Sequence, residues 1–195
     1  MKPGEGAAVY ANLLALSEDE RAEIADGRIV FLPPPLPEHG FLQVALGALV
    51  GGPFQLDHGR GGPGGWWILS EVDLQLSEHR VVRPDLAGWR RERLPGPWGN
   101  RPIRVVPDWI CEVLSPSKPA HDRVWKRRIY AQHRVEHYWI ADPAARTLEA
   151  LRLDRESGQW HETGAFDDDS VARIAPFEAV ELAVGRLFPP VPAER

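Results

Sequence analysis

Trp109-Ile110-Cys111-Glu112-Val113-Leu114 is an apolar run broken at one position, by a carboxylate. It reads as an almost fully apolar strand, interrupted only by Glu112. A carboxylate there is costly unless it is paired, protonated or bound to a metal, so Glu112 needs a compensating group. Upstream, Val81 to Trp89 reads as another strand, carrying Pro84-Asp85. Before that, Val72, Leu74 and Leu76 alternate with Asp73, Gln75 and Ser77 at the end of a strand from Trp66, and a hairpin turn is expected at Glu78-His79. Arg90 to Val106 reads as a long basic loop. Downstream, the chain turns at Ser115 to Pro119. Ala120 to Arg134 then has helical character, with Val124, Ile129 and Tyr130 inward. Two more strands, Glu136 to Ala141 and Thr147 to Leu153, flank the turn Asp142-Pro143, and weaker β structure is expected after Gly158.

Towards the N-terminus, Ser17-Glu18-Asp19-Glu20 fits a capping box and predicts a short helix ended by Gly27. Arg28 to Leu32 reads as a strand stopped by Pro33-Pro34-Pro35. After Pro37, apolar residues from Phe41 to Val50 recur at helical spacing until Gly51-Gly52, with Glu38 and His39 in the first turn. The Gly-rich stretch Gly59 to Gly65 lacks the Gly-Lys-Ser/Thr of a phosphate-binding loop.

A length of 195 residues suits a single domain with a real core, and 43% hydrophobic against 26% charged residues is an ordinary globular balance that argues against wholesale disorder. The apolar stretch Phe41 to Val50 is too short to cross a bilayer and Met1-Lys2-Pro3-Gly4 does not open a signal peptide, so the expected compartment is the cytoplasm. Cys111 is the sole cysteine, which excludes an intrachain disulfide and a cysteine-based zinc cluster. Nor do His121, His133 and His137 have the spacing of a zinc motif. The net charge of -5 hides an asymmetry: residues 80 to 134 hold 13 Lys and Arg against 5 Asp and Glu, and the rest of the chain holds 10 against 23. The middle of the chain is therefore where a phosphate backbone is expected to lie. Trp89 and Trp98, flanking the basic loop, could stack on bases, whereas Trp109, Tyr138 and Trp139 read as core.

Asp85 on one strand, Glu112 on the next and Lys126 on the following helix place two carboxylates and an ammonium within one supersecondary unit. Two carboxylates can hold Mg²⁺ or Mn²⁺ while leaving positions for water and a phosphate oxygen. A nearby lysine can orient the attacking water or offset the charge that develops in phosphodiester hydrolysis.

These residues resemble the Uma family, a branch of the PD-(D/E)XK nuclease superfamily. The resemblance rests on Leu32-Pro33-Pro34-Pro35-Leu36-Pro37-Glu38-His39, Val82-Arg83-Pro84-Asp85, Cys111-Glu112-Val113-Leu114-Ser115-Pro116-Ser117, and Asp122 through Lys126-Arg127 to Tyr130-Ala131. His137-Tyr138-Trp139-Ile140-Ala141-Asp142-Pro143 follows in the expected order, so the motif-bearing core spans about residues 20 to 153 of a single restriction-endonuclease-like domain over 1–195. The resemblance implies an α/β fold, a four- or five-stranded mixed central β-sheet flanked by helices, with Asp85 and Glu112 as ligands of a divalent ion. It also implies that Glu38 supplies a further acidic group from the first helix. The superfamily pattern puts a lysine two residues after the acidic strand residue, where this chain has Leu114; Lys126 resembles a lysine displaced onto the next helix.

The activity so implied is metal-dependent endonucleolytic hydrolysis of DNA, by a homodimer, because cutting both strands requires two sites. The rival reading is a catalytically silent nucleic-acid-binding or protein-interaction module that retains the fold, favoured by Leu114. A sugar hydrolase built on a carboxylate pair would leave Lys126 and the basic segment without a use.

Overall fold

The computed structural model describes residues 6–17, 19–99, 101–115 and 121–190, the side chains of 121–123 excepted. In chain order the elements are helix α1 (Tyr10–Leu14), strands β1 (Ala22–Ala25) and β2 (Arg28–Phe31), helix α2 (Pro37–Leu46) continuing as a π-helix (Gly47–Leu56), and strands β3 (Trp66–Ser70), β4 (Leu74–Ser77), β5 (Arg80–Val82), β6 (Leu86–Arg90) and β7 (Trp109–Val113). Helix α3 (His121–Gln132) follows, then β8 (His137–Asp142), β9 (Thr147–Leu153), β10 (Trp160–Phe166), β11 (Val171–Ala172), β12 (Leu182–Ala183) and a short 3₁₀ turn.

Six strands form a mixed sheet in the order β10-β9-β8-β7-β6-β3, one strand more than the upper expectation. Its single parallel pair is β7 with β8, and α3 is the crossover that a parallel pair needs. A separate antiparallel sheet runs β2-β1-β5-β4, and β11 and β12 pair by themselves. The chain passes between the two larger sheets three times, from β2 to β3 through the helices and directly from β3 to β4 and from β5 to β6. The expected strands from Trp66 to Leu76 and from Val81 to Trp89 are therefore each cut in two. Periodicity within either segment is continuous, and only the long-range pairing breaks it. The breaks fall at Glu71, whose φ of 56° lies in the left-handed region, and at Arg83-Pro84-Asp85. The two breaks are joined by the Glu71 amide donating to the Pro84 carbonyl at 3.2 Å.

Side-chain alternation along β7 explains the layering. Trp109, Cys111 and Val113 face α2, the π-helix and the C-terminal segment, packing with Leu42, Leu46, Trp66, Trp139 and Phe177. Ile110 faces the other way with Ala87, Trp89, Ile129, Tyr130 and Tyr138, under α3. Glu112 shares that second face by the same period-two rule. Gly88 is required between the indoles: a Cβ there would meet Trp109 at 3.0 Å and Trp66 at 3.3 Å.

Three local expectations are corrected. Ser17 does close its box, its amide donating to the Glu20 carboxylate at 3.0 Å, but the bond caps a turn and the chain enters β1 where a helix to Gly27 was expected. Asp26 and Gly27, at φ 48° and 81°, form instead the hairpin turn between β1 and β2. The helix after Pro37 does not end at Gly51-Gly52; it widens into the π-helix and runs through Pro53 to Leu56. Val124 on α3 points outward, 70% exposed, while Ile129 and Tyr130 are buried as expected. No helix among the described residues is long and apolar enough to cross a membrane.

Candidate active site

The β6–β7 register pairs Leu86 with Cys111, and one residue further along stand Asp85 and Glu112, at the end of the sheet where β6 begins and β7 finishes. Both side chains line one pocket, together with Lys126, Arg83, Arg21, His39 and Tyr138, and Leu32 to Pro35 form its opposite wall. Both carboxylates are nearly covered, Asp85 at 7% and Glu112 at 6% exposure. The structure thus brings Asp85, Glu112 and Lys126 together. Leu114 lines the same pocket, and α3 brings the Lys126 ammonium to it.

Each group is held by the element beneath it. Asp85 Oδ2 accepts the Val113 amide at 2.7 Å; its Oδ1 accepts from Gln43 Nε2 at 3.1 Å and lies 2.9 Å from His39 Nε2, both residues of α2. Gln43 also donates to Glu71 Oε1 at 2.9 Å, and Glu71 pairs with Arg21. Glu112 Oε1 accepts the Tyr130 hydroxyl at 2.5 Å, and Lys126 Nζ lies 3.1 Å from both Glu112 oxygens. On its other side Lys126 Nζ lies 3.2 Å from Glu23 Oε1. Glu23 is 3% exposed and accepts the Arg83 amide at 2.7 Å. Arg83 in turn gives Nε and Nη2 to Asp73 Oδ1 at 3.0 and 2.7 Å.

Glu23 and Glu112 thus flank one ammonium, with Asp85 lining the same pocket. Burial pushes the Glu112 carboxyl up to about 8; Lys126 opposes the rise, and the charges of Asp85 and Glu23 add to it. Lys126 is held well above the ordinary lysine range: burial works against its charge, and the carboxylates of Glu112, Glu23 and Asp85 overcome it. A pair of carboxyl groups lining one pocket is the donor set that Mg²⁺ uses when it keeps most of its waters. Among the described residues no three His, Cys, Asp or Glu side chains converge as a ready-made metal cage. The residues present therefore fit a two-carboxylate site and not a closed one.

Glu38 stands apart from this group. It is exposed and lines a neighbouring hollow with Leu36, His39, Leu114 and Ser115. The next residue, His39, is the one that reaches Asp85, and among the described residues its buried Nδ1 has no hydrogen-bond partner. Glu23 escaped the sequence reading because the capping box placed it in a helix; the signal that finds it is Asp26-Gly27 between two β-rich runs. Cys111 is core, as expected, with burial pushing its thiol well up.

The basic middle segment is less open than its charge count suggests. Arg80 pairs with Asp26, Arg93 with Asp108, and both Arg83 and Arg101 with Asp73, while Arg91 donates to the Trp66 and Gln55 carbonyls beneath Trp67. Trp89 is fully buried, its Nε1 donating to the Val105 carbonyl, which removes it from any base-stacking role. Trp98 is 66% exposed and meets Trp67 edge-on.

Comparison with known proteins bears on this arrangement at two levels. A solved structure described as a putative nuclease belonging to DUF820, from Anabaena variabilis ATCC 29413, superposes with a TM-score of 0.68 over 93% of this chain and 97% of that one, at 20% identity; this likeness establishes the fold. No curated protein matches the sequence. A sequence model of the Uma2 family, described as "Putative restriction endonuclease", matches residues 9–185, and by that match over nearly its whole length the chain belongs to the Uma2 family.

Proposed function

We propose that the pocket of Asp85, Glu112 and Lys126 hydrolyses phosphodiester bonds of DNA in a metal-dependent reaction. The observation that carries this reading is that Asp85, Glu112 and Lys126 line one pocket, with the buried Lys126 ammonium held between the Glu112 and Glu23 carboxylates. Asp85 and Glu112 would hold Mg²⁺ or Mn²⁺, which supplies Lewis acidity towards a phosphoryl oxygen and a more acidic water. Lys126, fixed beside Glu112, offsets negative charge gained in the transition state, an effect that a preorganised cation gives at no reorganisation cost. Arg83 faces the pocket with its guanidinium already oriented by Asp73, and suits a phosphate oxygen of the bound strand. The wall from Leu32 to Pro35 is stiff and poor in donors, which limits competing water. Glu38, outside the pocket, has no part in this assignment.

Cleavage of a duplex on both strands requires two such pockets, hence a homodimer. One observation favours the silent-module alternative: Glu112 is already satisfied by Lys126 and Tyr130, as a purely structural ion cluster would be. The deciding experiment is cleavage of supercoiled, linear and single-stranded DNA, and of RNA, with Mg²⁺ or Mn²⁺, by wild type and Asp85→Asn. Metal-dependent nicking lost in the variant supports the nuclease. No cleavage of any substrate, together with no thermal response to either ion, overturns it.

A further inference from the structure

We infer that Glu23 is the positioning residue that fixes the Lys126 ammonium for the hydrolysis proposed above, an inference that rests on that reading. Lys126 ends a flexible four-carbon side chain that rises from α3, an element separate from the sheet that carries Asp85 and Glu112. A point charge on such a stem gains nothing from the stiffness of β7 and must be held by contacts at its tip. Two carboxylates supply them, Glu112 at 3.1 Å and Glu23 at 3.2 Å. Only one of the two is reserved for the purpose. Glu112 lines the pocket and is assigned to the divalent ion, so its hold on the ammonium is shared. Glu23 does not line the pocket, is 3% exposed, and is itself anchored through Oε1 to the Arg83 amide at 2.7 Å.

That anchor gives the contact its geometry. Arg83 lies two residues before Asp85, in the crossing from β5 to β6, so the oxygen that touches Lys126 is tied to the backbone segment that delivers Asp85. Glu23 therefore sets the distance between ammonium and carboxylate without touching substrate. A chain with Leu114 where the superfamily pattern has lysine needs such a device, because the ammonium arrives from elsewhere and its place must be supplied by another residue.

The test is Glu23→Gln, which keeps a carbonyl oxygen for the Arg83 amide and removes the charge. Two measurements read it. Without metal or nucleic acid, reductive methylation of Lys126 is followed by mass spectrometry, with Lys2 and Lys118, the other two lysines of the chain, as internal references; Lys126 should react several-fold faster in the variant. In cleavage assays the variant should keep KM within about twofold and lose about tenfold or more in kcat, and the loss should vanish in a Lys126→Met background, since a residue acting through another is non-additive with it. Unchanged Lys126 labelling, or an equal kcat loss in both backgrounds, overturns the inference. If wild type cleaves nothing, the nuclease reading falls while the labelling still decides whether Glu23 holds Lys126. Should Glu23→Gln fail to fold, Glu23→Asp, which retains the charge but draws it back by one methylene, is measured in the same way.

Discussion

The Val113 amide donates to Asp85 Oδ2 at 2.7 Å, so the carboxylate at the head of β6 is fastened to the backbone of the strand that carries Glu112. One oxygen is spent on β7, and the other is aimed by Gln43 and His39. Asp85→Asn can keep the Val113 bond while losing the charge. It should therefore fold, yet lose the stabilisation that a divalent ion gives, about 2.7 kcal/mol at a hundredfold excess over Kd. Thermal melts with and without Mn²⁺ check this, and a variant that still responds like wild type removes Asp85 from the ligand set.

Glu112→Gln probes the same pair from the other side. Burial opposes a charge at this position, and a glutamine oxygen can still accept the Tyr130 hydroxyl. The expected metal-free melting temperature is no lower than that of wild type, with the Mn²⁺ shift abolished. A large metal-free loss would mean that the ionised carboxylate is needed for the fold itself.

Lys126 and its neighbour Arg127 separate chemistry from charge. Lys126→Met should leave the Mn²⁺ response in place and lower cleavage about a hundredfold, the scale of losing one preorganised electrostatic partner. Arg127→Ala, on a residue lining a groove on the outer side of α3, should instead weaken DNA binding modestly and more at low salt than at high. Equal small losses at saturating DNA would leave Lys126 a structural ion-pair partner of Glu23 and Glu112.

Asp73 predicts a pH dependence of stability. Burial raises its carboxyl, but hydrogen bonds from Arg83, Tyr10 and Arg101 outweigh that and hold it below the ordinary range. With the folded value below the unfolded one, about 3.9, its stabilisation is fully present above that pH and disappears as pH falls through the folded value. Asp73→Asn should lower the melting temperature at pH 7, and the gap from wild type should narrow below about pH 4. A gap unchanged down to about pH 2.5 would assign the loss to shape and not to charge.

Two tryptophans that flank the basic loop should behave oppositely. Trp89→Ala empties a fully buried site and should cost about 3–5 kcal/mol in denaturant titration. Trp98→Ala, at an exposed site, should leave stability within about 1 kcal/mol. A reversal would mean that the loop is packed differently from the structure described here.

How much of this was legible in the sequence follows from which interactions are local. Glu112 announced itself because its strand is apolar on both sides, and Asp85 and Lys126 followed from the order of elements. Glu23 did not, since Ser17 and Glu20 make the same bond whether a helix or only a turn follows; what decides is the pairing of β1 with β2 and with Val81, more than fifty residues on. The division of the Trp66–Leu76 and Val81–Trp89 segments between two sheets is equally non-local. Charge counting overstates the unpaired positive charge of the basic segment because it cannot see that Asp26 and Asp73, from outside the segment, meet Arg80, Arg83 and Arg101. The approach of His39 to Asp85 depends on how α2 packs on the sheet and leaves no signal in the local sequence.

The division of the chain between two sheets has a consequence for how the molecule fails. Lys126 and Glu112 belong to the six-stranded sheet and its crossover helix, whereas Glu23 belongs to the four-stranded one, which meets the larger sheet through the turns at Glu71 and Pro84. Peeling away the β1–β2 hairpin would leave every rung of the large ladder intact and still strip the ammonium of one partner. Sub-global opening of this kind costs less than complete unfolding. On gradual heating, catalytic competence should therefore vanish some degrees before the far-ultraviolet dichroism changes, with amide protons of Ile24 and Val81 exchanging ahead of those of Ile110 and Ile140.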